Sequence, residues 1–336
     1  MVRTLRNNPL ILLAAVAAAP MLVLAGARAG LERGGPDIRV PILVYHRFGP
    51  VVADSMTVTT PVFEAHMQYL KDSGYSVIPL RQLVDHLLGT APAPSPRSVV
   101  ITVDDGHRSV YSDMLPLVLR YRLPVTVFIY PSAISRADYA LTWEELREMQ
   151  RTGLFEIQSH SHWHPNFKQE KKHLNPREYE EFVTAQLTRS RDKLQAELGG
   201  AIDMLAWPFG IYDDQLIGLA VKARYIAAVT LERRAASTRD NIMALPRFLI
   251  TNEVRGKAFE RLLSTAGGSS GARVPSSTER VQTLRADACD KQPCDTWRGR
   301  RIGADWPPRS CLLSSSRRPR RQRTRDALST PRRTKG

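Results

Sequence analysis

The chain has 336 residues, 43% of them hydrophobic, enough for one large globular domain or two ordinary ones. Its formal charge of +15 suggests a nucleic-acid binder, but 17 of the 48 Lys+Arg and only 6 of the 33 Asp+Glu lie from Gly267 onward, so +11 of that charge sits in the tail. The body is therefore not expected to bind nucleic acid. All three cysteines (Cys289, Cys294 and Cys311) lie there too, which excludes a thiol mechanism or a Cys-ligated zinc from the body.

Residues 1–29 read as an export signal or N-terminal membrane anchor. Arg3 and Arg6 precede an apolar stretch from Leu10 to Leu24, and Ala25-Gly26-Ala27 and Ala27-Arg28-Ala29 offer small residues at cleavage spacing. Either way the body is placed in the periplasm or outside the cell. Residues 41–46 form a short buried-strand pattern ending in Tyr45-His46. Residues 61–71 have helical spacing, with Thr60 as N-cap and Pro61 in the first turn. A strand is expected at 75–80 and a helix around Leu83 to Leu88, followed by a Pro-rich linker at 91–96.

The most informative stretch follows: Ser98-Val99-Val100-Ile101-Thr102-Val103-Asp104-Asp105-Gly106. Its β-branched run fits a strand buried on both faces. It ends in two carboxylates, which cost stability at a buried strand end unless they ligate a metal or carry a proton. Further on, the pattern predicts helices at 111–121, 142–153, 175–199 and 214–223. It predicts strands at 125–130, 155–159, 205–207, 225–229 and 245–250. Strands alternating with helices imply parallel βαβ units, and seven or eight strands in this length fit a barrel, where chemistry sits at the C-terminal strand ends. Residues 267–336 lack a core pattern and are expected to be a disordered Arg/Ser/Pro-rich tail.

The 155–159 strand ends in Ser159-His160-Ser161-His162-Trp163-His164, three of the chain's eight histidines within five residues. Two imidazoles and a carboxylate with open positions suit a catalytic zinc or similar divalent site. His160 and His164, four apart, could converge on one ion.

These motifs resemble those of the polysaccharide deacetylases (NodB-homology domain, carbohydrate esterase family 4), in the branch that acts on extracellular polysaccharides. Thr102-Val103-Asp104-Asp105-Gly106 resembles the family's Thr-Phe-Asp-Asp-Gly, and His160-Ser161-His162-Trp163-His164 its His-Ser/Thr-x-x-His. Ala206-Trp207-Pro208-Phe209-Gly210 resembles a third motif, and residues 41–47 a Tyr-His strand of that branch. The resemblance covers about residues 40–263, within a domain taken as 38–266. It implies a distorted (β/α) barrel of about seven parallel strands. It also implies a hydrolase that removes N-acetyl groups from an N-acetylhexosamine polymer: poly-N-acetylglucosamine first, peptidoglycan or chitin oligosaccharides behind it. Asp105, His160 and His164 would hold the metal, Zn2+ or another divalent transition metal. Asp104 would be the base toward a metal-activated water, and the backbone N–H of Phe209 an oxyanion donor.

The chain departs from the family pattern in two places. Ala206 stands where the third motif has an arginine beside the base, and Arg247 is the candidate replacement. No histidine follows His173, so the usual late general acid is missing; His46 is preferred in that role, with His107 or a metal-bound water as alternatives. Trp163, Trp207, Phe209 and His107 are candidate substrate contacts. The competing reading is a carbohydrate-binding protein that keeps the fold without turnover.

Overall fold

The structure is a computed structural model that describes residues 38–267. The expected export segment, the cysteines and the tail beyond Gly267 lie outside the described residues. Seven strands lie in one path of a parallel sheet, β1 (Ile42–Tyr45), β2 (Ser98–Asp105), β3 (Val125–Ile129), β4 (Phe155–Ser159), β5 (Met204–Ala206), β6 (Ala227–Val229) and β7 (Phe248–Leu249), and a two-residue eighth strand, Ser76–Val77, pairs with the start of β2 off that path. Their spatial order is β6-β5-β4-β3-β2-β1-β7, all parallel. The sheet curls as a half-barrel. The 245–250 segment reaches both of its edges: Leu245 N–H donates to Ala228 O (2.8 Å), and Ile250 N–H donates to Val44 O (2.9 Å).

Strand β2 is central because its residues are apolar on both faces. Val99, Ile101 and Val103 pack outward against helices α1 (Thr60–Asp72) and α3 (Leu115–Tyr121). Val100 packs on the opposite face with Ile42, Phe128, Met204 and Val229. By strand alternation Thr102 and Asp104 share the face of Val100, so the inner face of β2 turns polar toward the barrel's C-terminal mouth. Helix α2 (Leu80–Leu87) packs Leu80, Leu83 and Val84 onto this inner cluster. Its Arg81 pairs with Glu156 at the start of β4 and with Asp203 just before β5, both at the N-terminal end of the strands. That end is thus closed by side chains.

Helix α4 (Trp143–Arg151) opens on a Thr142/Glu145 capping box. Helix α5 spans Phe167–His173, and α6 (Pro176–Leu198) opens on an Asn175/Glu178 box. Helices α7 (Asp214–Lys222) and α8 (Lys257–Gly267) complete the set. Among the described residues no helix is long and apolar enough to cross a membrane.

Three expectations are corrected. The strand at 75–80 is reduced to Ser76–Val77, because Pro79 lacks an N–H and starts α2 instead. The N-cap of α1 is Thr59 rather than Thr60, and its hydroxyl is bound to Asn252 instead of capping. Strand β6 begins at Ala227, two residues later than expected. Helices α5 and α8 were not anticipated; α5 is short and mostly Lys, Gln and Glu, with little apolar period.

Candidate active site

The two acids leave β2 differently. Asp104 continues the inward face and is 1% exposed. Alternation would turn Asp105 outward toward the helices, but the backbone is left-handed at Asp105 (φ 75°) and again at Gly106 (φ 71°). That twist brings both carboxylates to the barrel mouth. Gly106 is required there: a Cβ would lie 2.8 Å from Ile129 Cγ2.

Asp104 is held by Arg247 through a bidentate pair, Nη1 to Oδ1 at 2.8 Å and Nη2 to Oδ2 at 2.7 Å. The guanidinium is itself fixed. Its Nε donates to Thr230 O (2.9 Å) and its Nη1 also to the Thr102 hydroxyl (3.1 Å), with no exposed surface. Burial alone would raise the Asp104 pKa. The Arg247 charge beside it overcomes that, aided by His160, and lowers it to about 2. A carboxylate that remains ionised inside the barrel is thereby secured.

His160 lies at the end of β4, and its Nδ1 is bound to Ala206 O at 2.7 Å. A carbonyl only accepts, so Nδ1 carries the proton and Nε2 presents a lone pair to the mouth. Nε2 stands 3.7 Å from Asp105 Oδ1 and 3.8 Å from Asp104 Oδ2. His164 Nε2 stands 3.8 Å from Asp105 Oδ1. These separations exceed hydrogen bonds, so the groups do not satisfy one another. Burial first of all lowers both imidazole pKa values to about 4, which keeps the rings neutral and able to ligate. One donor atom each from Asp105, His160 and His164 lies within 4.8 Å of the others. A neutral-imidazole pair with one carboxylate, converging yet not hydrogen-bonded, fits a divalent metal.

The backbone is left-handed at Ser161 (φ 62°), His164 (φ 63°) and Phe209 (φ 57°) as well. With Asp105, four non-glycine residues in this sparsely populated region surround one point, the clustering expected where function constrains the chain. The Ser161 hydroxyl accepts from the His164 N–H (3.2 Å) and closes the turn. The His164 ring is wedged between His160 and Phe209, each with its centroid 4.5 Å away.

The other candidates fall as follows. His46 follows β1, is buried, and interacts electrostatically with Asp104 and His164. Its buried Nδ1 has no hydrogen-bond partner among the described residues. His107 is half-buried, with Nδ1 2.8 Å from the Ser109 hydroxyl, and burial lowers its pKa. Trp163 is half-buried, edge-on to Phe182. Trp207 is a correction: it is fully buried, packed on Phe167, with its indole N–H donated to Met243 O (2.9 Å). It has no face to offer a sugar and belongs to the core. Sequence reasoning missed Tyr130, one residue past β3, whose ring lies 5.5 Å from that of His164. Its position at a strand's C-terminal end was the available signal.

Residues 91–228 match the family model described as polysaccharide deacetylase, a span that holds Asp104, Asp105, His160, His164 and Phe209 but not His46 or Arg247. The chain is 29% identical over 221 residues to YxkH of Bacillus subtilis (strain 168), a protein provisionally named a polysaccharide deacetylase, covering 66% of this chain and 75% of that one. It is 26% identical over 217 residues to the poly-beta-1,6-N-acetyl-D-glucosamine N-deacetylase of Staphylococcus aureus (strain MRSA252), covering 63% and 72%. In fold it is similar to the Streptococcus pyogenes deacetylase PplD in complex with acetate, with TM-score 0.61 and 22% identity over 68% of this chain and 99% of that one. It is also similar to IcaB from Ammonifex degensii, with TM-score 0.59 and 21% identity over 68% and 97%.

Proposed function

Because the chain carries a polysaccharide deacetylase domain, and is on that ground an enzyme, we propose that it hydrolyses the N-acetyl groups of an N-acetylhexosamine polymer. Poly-β-1,6-N-acetylglucosamine is the leading substrate, supported by the Staphylococcus aureus relative. The observation that carries the reading is the division of labour between two adjacent acids. Asp104 is locked to Arg247, while Asp105 faces His160 and His164.

Asp105, His160 and His164 would hold a divalent ion, zinc or another transition metal that imidazole donors suit, and that ion would supply Lewis acidity to a water and to the acetamide carbonyl. Asp104 accepts the proton of the attacking water. Arg247 keeps Asp104 ionised and aimed, so it is a positioning residue. The new bond joins the water oxygen to the carbonyl carbon, and the C–N bond breaks to release acetate and a free amine. His46 donates the proton that the departing nitrogen needs. The Phe209 N–H, set at the left-handed turn, is the donor for the oxyanion. Arg247 stands beside the base where Ala206 brings no charge, which answers one of the two grounds for a binding protein without turnover, the other being the missing late histidine. We place the enzyme outside the cytoplasm, because residues 1–29 have export character.

The test is acetate release from acetylated β-1,6-linked glucosamine oligosaccharides, before and after chelation. Release that stops with chelator and returns with zinc is expected. Release indifferent to chelator, or none from any acetylated hexosamine polymer, would overturn the reading.

A further inference from the structure

The metal triplet and the Asp104–Arg247 pair leave one feature of the mouth unused. The 131–142 loop is stitched to both ligand-bearing turns. Leu141 N–H donates to Gly106 O (2.9 Å), Arg108 N–H donates to Tyr139 O (2.8 Å), and Ser132 N–H donates to His162 O (3.1 Å). His107 and Ala140 form an antiparallel bridge between the loops. The loop is therefore held in register with the site rather than left free over it.

This loop presents Tyr139 at the surface, 36% exposed. Its hydroxyl lies 2.9 Å from that of Tyr130, and its ring is nearly parallel to that of His107 (13° between planes, centroids 6.3 Å apart). Tyr130 spans the interval from Tyr139 to His164. Tyr139 is thus linked to the metal triplet through the single intervening side chain of Tyr130.

Two phenols bonded to each other use one of their two hydrogens, so one O–H remains to donate and lone pairs remain to accept. An amphipathic ring with a fixed, spare hydroxyl suits a pyranose, which offers C–H faces and hydroxyl edges at once. A loop tied by three backbone bonds also costs little to order on binding.

We propose that Tyr139, backed by Tyr130, is the specificity-determining seat for the sugar unit next to the one being deacetylated. The inference rests on the deacetylase reading for its substrate class: a β-linked N-acetylhexosamine chain at least two units long. On this account the enzyme prefers a chain to a single sugar because of this seat.

The test compares wild type, Tyr139→Ala and Tyr139→Phe, with Val221→Ala as a surface control far from the mouth. Kd and KM are measured for N-acetylglucosamine and for its β-1,6-linked tetramer. For Tyr139→Ala the tetramer's KM and Kd should rise about tenfold, with less than a twofold change for the monosaccharide and kcat for the tetramer nearly kept. Tyr139→Phe, which keeps the face and loses the hydroxyl, should fall between. Equal losses on monomer and tetramer, a loss in kcat alone, or no loss would each overturn the proposal. Wild type that binds the tetramer better than the monomer but releases no acetate would refute the deacetylase reading while leaving the seat testable by Kd.

Discussion

Replacing Arg247 is the sharpest perturbation the structure offers. Arg247→Met keeps the side chain's bulk but removes both hydrogen bonds and the charge from a carboxylate that is 1% exposed. Breaking one side of a buried ion pair costs about 3–5 kcal/mol in folding stability. The consequence for chemistry has a definite sign. In the wild type Asp104 titrates near 2, below its ordinary 3.8, so it is ionised at every working pH. Without Arg247, burial dominates and its pKa moves above 3.8. A rise of about 2 units or more corresponds to about 2.7 kcal/mol lost from the ionised form. The acid limb of kcat/KM for acetate release should therefore move to higher pH in Arg247→Met. Arg247→Lys restores charge without the two-pronged geometry and should lie between. The assay is acetate release from pH 4 to 9, with urea denaturation alongside to separate folding from chemistry. An Arg247→Met or Arg247→Lys profile superimposable on wild type, in protein shown to be folded, would refute the assignment of Asp104 as base and Arg247 as its support.

Three further outcomes are expected. Asp104→Asn should lower kcat by about 10²–10⁴-fold while zinc content, read by atomic absorption, stays at the wild-type value; a parallel loss of zinc would make Asp104 a ligand instead. Gly106→Ala should lower both stability and turnover, because it adds a Cβ 2.8 Å from Ile129 at φ 71°; unchanged thermal denaturation would show that the turn relaxes freely. His66 is buried between the Tyr45 hydroxyl (3.1 Å) and Val254 O (2.6 Å), and burial lowers its pKa to about 4. The unfolded chain takes that proton near 6.5, so between 6.5 and 4 it binds more protons than the native state. Stability should fall across that window by about 3 kcal/mol from this residue alone. Urea midpoints of wild type and His66→Gln at pH 7.5 and 5 would test this: a slope with pH equal in both proteins would dismiss the residue's part.

Much of this architecture could be read in advance because burial writes itself into residue type. The 98–105 strand is apolar on both faces, so only a central parallel strand suits it. Capping residues at Thr142 and Asn175 mark their helices for the same local reason. The Asp-Asp and His-rich ends stood out because charged and titratable groups rarely end buried strands without a task. Less legible was anything set by contacts distant in sequence. Trp207 lies inside a chemical motif, yet its N–H goes to Met243, 36 residues on, and its ring goes to the core. The left-handed turn at Asp105 reverses the side that alternation assigns to its carboxylate, and residue type alone does not announce that. Tyr130 and Tyr139 meet only because a loop is pinned to two others by backbone bonds, which carry no sequence signature. Helix α5 escaped notice because its single buried residue, Phe167, leaves no period to detect.

Asp105, His160 and His164 are expected to share one cation while Asp104 stays on Arg247. Crystals grown with zinc and measured at its absorption edge address this directly. A single anomalous peak bonded to one Asp105 oxygen and to both Nε2 atoms, with the Asp104–Arg247 pair intact, is the predicted result. A peak bonded to Asp104 in place of Asp105, or no peak between the two histidines, would contradict it.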